Sequence, residues 1–259
     1  MGLDAFVYCR CWQDGLTLPP VAPVGFDEEG YLDWLVPRSE YTEAAAAFDG
    51  WKATGCPHED MELVSEHLAN WTGYRLFQQT LEAAGWSHFP SLHAELPSAN
   101  GGRMPAKAAA RVLEELDSFE RRAVFDDEVV LVEEASGDMK LVYVAAYAGV
   151  LMLGPGYRAG VDPEGFFVVD GDADPPVTLF RSVRFRQCVL PGGQVEFSDE
   201  ATTVRITMSP VGGASAAGRP QWLCLERRRR SPADFGYIVQ PLRRLCQAAV
   251  ATGNPVMWC

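Results

Sequence analysis

The sequence predicts an α+β fold: a mainly antiparallel sheet with an N-terminal helical segment and a C-terminal helix. Three observations predict it. The chain opens on an alternating stretch, "DAFVYCRCW"; helix-like segments then run to about residue 122; a succession of β-rich runs follows, closed by one amphipathic helix. Strands and helices segregated along a chain favour α+β over alternating parallel units. A lone N-terminal strand needs partners, and the later strands are the apparent supply. Residues 1–259 are therefore read as one composite domain, with any subdivision falling between 1–122 and 123–259.

In the first stretch Ala5, Val7, Cys9 and Cys11 share one face, and Phe6, Tyr8, Arg10 and Trp12 the other, as a strand requires. The following segment is rich in Pro and Gly, with a turn expected at "DEEG" (27–30). "SEYTEAAAAFDGWKATG" reads as a helix capped by Ser39 or Thr42. In "CPHEDMELVSEHLANWTGYRLFQQTLEAAG", Met61, Val64, Leu68 and Trp71 recur at helical spacing, which predicts a second helix ending at Gly85. On that reading Pro57 is the first helical residue, Cys56 the N-cap, and Glu59, Asp60 and Glu62 oppose the positive helix end. A loop (86–104) and a helix starting near Pro105 come next.

Past residue 123, a hairpin is expected around Ser136-Gly137-Asp138. Further strands are expected in "GFFVVDG", "PVTLFRSVRFRQCVL", "GQVEFSDEATTVRITM" and "PQWLCLERR". The last helix is capped by Ser231, starts at Pro232, carries Pro241 and stops at Gly253; the apolar tail "NPVMWC" docks.

The net charge of −13 disfavours nucleic acid and anionic lipid as partners. The longest apolar run, 141–154, is shorter than the roughly 20 residues of a spanning helix. No export signal opens the chain, and its seven cysteines read as free thiols or metal ligands. A cytoplasmic location is the expectation. The abundance of Arg and Ala suggests a GC-rich bacterium.

Two chemistries are readable at "GCPHEDMEL" (55–63). A helix N-terminus lowers a thiol pKa, which makes Cys56 the candidate nucleophile, with His67 and Asp60 as acid–base groups. Alternatively Cys9, Cys11, Cys56 and His58 form a Cys₃His set, a composition used for structural zinc. A geometric objection stands against the second. In a regular strand Cys9 and Cys11 are about 6.5–7 Å apart, too far for one ion without a bend. Arg227, Arg228, Arg229 and Arg230 form a basic run that suits an anion or partner contact. "DGDAD" (170–174) lacks the Gly and Glu of a calcium loop and reads as a polar turn.

"MGLDAFVYCRCWQDG", "CPHED" and "LVSEHLANWTGYRLF" resemble an uncharacterised family of bacterial proteins. Its members open with MGLD and carry a Cys-x-His followed by an "RLGN"-like helix, where this chain has "HLAN" (67–70). The resemblance covers the first hundred residues or so and implies no activity; it joins Cys11, Cys56 and His58 as a unit. The function expected is a cytosolic, non-enzymatic binding protein, of the kind that neutralises a basic protein partner as immunity proteins do. The rival is a hydrolase or transferase built on a Cys56-centred thiol or metal.

Overall fold

The computed structural model describes residues 2–20, 22–35, 41–122, 125, 127–213 and 221–259. In chain order its first elements are β1 (Gly2–Tyr8), β2 (Val24–Phe26), β3 (Leu32–Trp34), α1 (Tyr41–Thr54), β4 (Glu62–Asn70), α2 (Trp71–Ala84), α3 (Pro90–Glu95), β5 (Arg103–Met104) and α4 (Ala106–Glu120). Ten strands follow: β6 (Glu128–Glu133), β7 (Met139–Val142), β8 (Val150–Gly154), β9 (Tyr157–Asp162), β10 (Gly165–Asp170), β11 (Val177–Ser182), β12 (Arg184–Leu190), β13 (Gln194–Ser198), β14 (Thr203–Thr207) and β15 (Gln221–Arg228). The chain closes with α5 (Gly236–Thr252) and β16 (Val256–Trp258). The fold is α+β, and the strand pairings among the described residues are antiparallel.

Two compact units divide the chain: Met1–Ala123 with Ser231–Cys259, and Val124–Arg230. The C-terminal helix, grouped by sequence with the later strands, belongs to the first unit. There α5 packs on α4, β4 and β1, and Arg243 bonds Asp117 and Glu120 of α4, each at 2.7 Å.

The first unit is built on a sheet of order β4-β1-β16-β5. Strand β1 is central and buried on both faces, Leu3, Ala5 and Val7 on one and Phe6 and Tyr8 on the other. Its partners are not the later strands that the sequence suggested. One is the tail, with Phe6 opposite Met257; the other is residues 62–70, expected as helix, with Phe6 opposite Ser65. The helical spacing of Met61, Val64, Leu68 and Trp71 is overridden because β1 offers a ladder of main-chain bonds that only an extended segment satisfies. The helix starts instead at Asn70, whose Oδ1 accepts from Gly73 N at 2.8 Å, an N-cap of the usual kind. On one face of the sheet, Phe77, Phe119 and Phe235 pack edge to face or tilted, with centroids 5.4–5.9 Å apart.

The other expectations divide. At "DEEG", Asp27 Oδ1 accepts from Gly30 and Tyr31 at 2.7 and 2.8 Å, closing the β2–β3 hairpin. Helix α1 forms; the Ser39 cap lies outside the described residues. The 86–104 segment, expected as loop, holds α3 and β5. Ser231 and Asp234 make a capping box at the turn before α5, and Gly253 ends that helix at φ 74°.

The second unit has a six-stranded sheet, β14-β13-β12-β15-β6-β7, and a four-stranded sheet, β11-β10-β9-β8. Both line one core, in which Phe166 stacks on Phe185 at 4.5 Å and meets Phe197 at 5.0 Å. The Ser136 hairpin joins β6 to β7. In "LGPGYRAG" (153–160) Pro155-Gly156 turn the chain from β8 into β9. Gly160 is needed there for close approach, since a Cβ would lie 1.9 Å from the Gly149 carbonyl oxygen. The apolar run 141–154 is the end of β7, a turn and β8. No helix among the described residues is long and apolar enough to cross a membrane.

Candidate metal centre

Strand β1 ends at Tyr8, and Cys9 to Gly15 turn away from it. The objection to Cys9 and Cys11 sharing an ion falls with the strand that it assumed. Leu16 N donates to the Cys11 carbonyl at 2.7 Å, closing the turn.

The second pair is carried by residues 55–61, and this is no helix start. Glu59–Met61 form a single 3-10 turn, His58 before it is extended, and no side chain caps it. Asp60 and Met61 adopt left-handed backbone, at φ 48° and 60°, which costs of order 1–3 kcal/mol per residue and must be held by its surroundings. Two contacts hold it: Cys9 N donates to the Met61 carbonyl at 2.7 Å, and the Met61 side chain is buried in a small core with Phe6, Tyr8, Phe48, Trp51 and Met257. Gly55 allows the chain to enter, since a Cβ there would lie 2.6 Å from the Trp51 carbonyl oxygen.

These two turns bring four ligand atoms together. Cys9 Sγ lies 3.8 Å from Cys56 Sγ. His58 Nδ1 lies 3.5 Å from Cys11 Sγ and 3.8 Å from Cys56 Sγ. The Cys9, Cys11, Cys56 and His58 ligand atoms all fall within 4.8 Å of one another, a cluster that can hold a metal ion. Cys9 is buried and the other three are half-buried. Burial pushes the Cys9 thiol up to about 12 and also raises Cys11. A metal bound here displaces those protons.

Sequence reasoning missed the residues that position the first turn. Asn254, in the tail and buried, donates through Nδ2 to the carbonyls of Tyr8 at 2.9 Å and Cys9 at 3.2 Å, and accepts from Gln13 Nε2 at 2.6 Å. Arg10 donates to the Thr252 carbonyl at 2.9 Å and pairs with Asp14. No motif marks Asn254, because its partners lie more than 240 residues away. Asn254→Ala removes the side-chain donor to two buried carbonyls and should cost about 2–4 kcal/mol. Metal affinity should fall with it, read by competition with a chelator; unchanged affinity would show that the turn holds its shape alone.

The other candidates are not among the clustered residues. His67 is on β4, exposed, with Nδ1 2.6 Å from Asp4 Oδ1. It does not join Cys56 and Asp60 on one helix, because that helix does not form; Asp60 sits in the 3-10 turn and Glu66 pairs with Arg244. The helix-end argument for a reactive Cys56 falls for the same reason. Burial raises the half-buried Glu62 carboxyl. In the second unit, Arg228 bonds Glu226 and the Gly137 carbonyl, Arg229 faces Asp127 at 3.8 Å, buried Arg230 pairs with Glu128, and Arg227 is exposed.

No protein-family model matches the chain, and no curated protein or solved structure is significantly similar to it. The geometry of the centre therefore carries the functional argument.

Proposed function

We propose that the protein is a zinc protein, that the Cys9, Cys11, Cys56 and His58 site is structural, and that the folded chain serves as a non-enzymatic binding protein. The observation that carries the reading is the set of ligand distances. With zinc–sulfur bonds of about 2.3 Å and zinc–nitrogen bonds of 2.0–2.1 Å, a regular tetrahedron has edges of about 3.8 Å between sulfurs and about 3.5 Å between sulfur and nitrogen. The cluster has 3.8 Å for Cys9–Cys56, 3.5 Å for Cys11–His58 and 3.8 Å for Cys56–His58, with all four ligand atoms within 4.8 Å of one another, close to those edges and open to tightening around an ion. Imidazole and thiolate are the donors zinc favours over magnesium or calcium.

Four protein ligands leave no open position for water or substrate, which favours a structural over a catalytic role. The same closure counts against a hydrolase or transferase that works through Cys56. Zinc here would clip the turn after β1 to the turn before β4 and seal the edge of the small aromatic core between them.

The binding role rests on charge. A surface of net charge −13 favours a basic protein partner and speeds its encounter; an immunity-type inhibitor is one form of that role.

Elemental analysis of protein purified without added metal tests the zinc reading. One zinc per chain is expected; a metal-free protein that is folded and has reduced thiols would overturn it. For the partner, salt-sensitive capture of one basic protein from a native lysate is expected, and capture of nothing at low salt counts against it.

A further inference from the structure

We propose that the zinc site is peroxide-sensitive: hydrogen peroxide oxidises Cys56, Cys9 closes a disulfide onto it, and zinc is released. This rests on the zinc reading above. The geometry points to that pair. Their sulfurs are 3.8 Å apart, so a bond of about 2.05 Å needs them to approach by less than 2 Å. They differ in access: Cys56 is half-buried, whereas Cys9 is 5 % exposed. An accessible thiolate meets peroxide first, and a buried neighbour is placed to resolve it.

The step balances. The Cys56 thiolate leaves zinc and attacks one peroxide oxygen; the O–O bond breaks, Cys56 becomes a sulfenic acid, and the departing hydroxide takes a proton to form water. The Cys9 thiolate then attacks the Cys56 sulfur, the S–S bond forms, and the second hydroxide leaves and is protonated to water. The two sulfurs give up two electrons and one peroxide becomes two waters. Zinc keeps only Cys11 and His58, too few for tight binding.

The strained turn gives the release a structural consequence. Asp60 and Met61 hold left-handed backbone immediately after His58, and zinc bonds at Cys56 and His58 restrain the turn that contains them. The new disulfide keeps Cys56 tied to Cys9 but frees His58 and Cys11. Oxidation thus exchanges a four-point clip for a two-point one.

The test uses the full chain, reduced and zinc-loaded, with Cys259→Ser to remove an exposed thiol. Hydrogen peroxide is added in the presence of a zinc-indicating dye, and disulfide-linked peptides are mapped by mass spectrometry. Release of one zinc per chain with a Cys9–Cys56 link, reversed by reductant and zinc, is the expected result. Zinc retained while other thiols oxidise would overturn the proposal and leave the zinc reading intact, as would zinc lost with Cys56 over-oxidised and no link to Cys9. Absence of zinc from the reduced starting protein would overturn both.

Discussion

Cys56→Ser should reduce bound zinc from about one per chain to near none and loosen the segments it joins. Cys56 Sγ lies 3.8 Å from both Cys9 Sγ and His58 Nδ1, so its loss breaks the set at its centre. A serine hydroxyl is a poor substitute for a thiolate on zinc. Binding to a structural site of this composition is folding free energy, with apparent values of about 10–16 kcal/mol in isolated zinc-finger peptides. The effect should be smaller here, because Cys9 N to Met61 O and the small aromatic core already hold the two turns together. Hydrogen exchange should quicken at residues 9–18 and 55–61, with little change in the Val124–Arg230 unit. His58→Cys is the complementary variant: a Cys₄ set also suits zinc, so the metal should be retained. Full zinc binding in Cys56→Ser would remove Cys56 from the site.

Glu115→Ala should destabilise the first unit by about 4 kcal/mol, with two buried N–H groups each left at a cost of about 2 kcal/mol. Helix α3 begins at Pro90 with no side-chain cap from Phe89. The cap comes from α4 instead: buried Glu115 accepts from Ser91 N and Leu92 N, both at 2.8 Å. Removing the carboxylate orphans both amides and takes a negative charge from the helix start. Glu115→Gln keeps one acceptor and should lose about half as much. Urea unfolding of the two variants checks the order; equal loss in both would mean that charge, not acceptor count, is the important term.

Elements whose pattern is local were legible in the sequence. Asp27 and Gly30 closed their hairpin, Ser231 capped a turn at Pro232, though it is the 3-10 turn that leads into α5, and Gly253 ended α5. These outcomes depend on a few adjacent residues and would recur in many folds. The Cys₃His set was legible as a candidate because only Cys56 and His58 place a thiol and an imidazole two residues apart, and Cys9 and Cys11 offer a second close pair.

Residues 56–70 show where that legibility ends. Pro57, the acids after it and the spacing of Met61, Val64 and Leu68 all describe a helix start, and locally nothing contradicts them. The segment is a strained turn and a strand, because the central strand β1 must be paired on both sides, and Glu62–Asn70 supplies one ladder while Val256–Trp258 supplies the other.

By itself the sequence determined the α+β class, several short-range turns, and the identity of the four side chains that come together, Cys9, Cys11, Cys56 and His58. Only the tertiary structure decided that α5 and the tail return to the first unit, that β1 ends at Tyr8, and that Asn254 fixes the turn carrying Cys9 and Cys11. The physical reason is the same in kind: long-range contact. Each is settled by packing or by main-chain groups that must find partners in segments far apart in the chain, and the residues that meet the need carry no mark of it in their own neighbourhood.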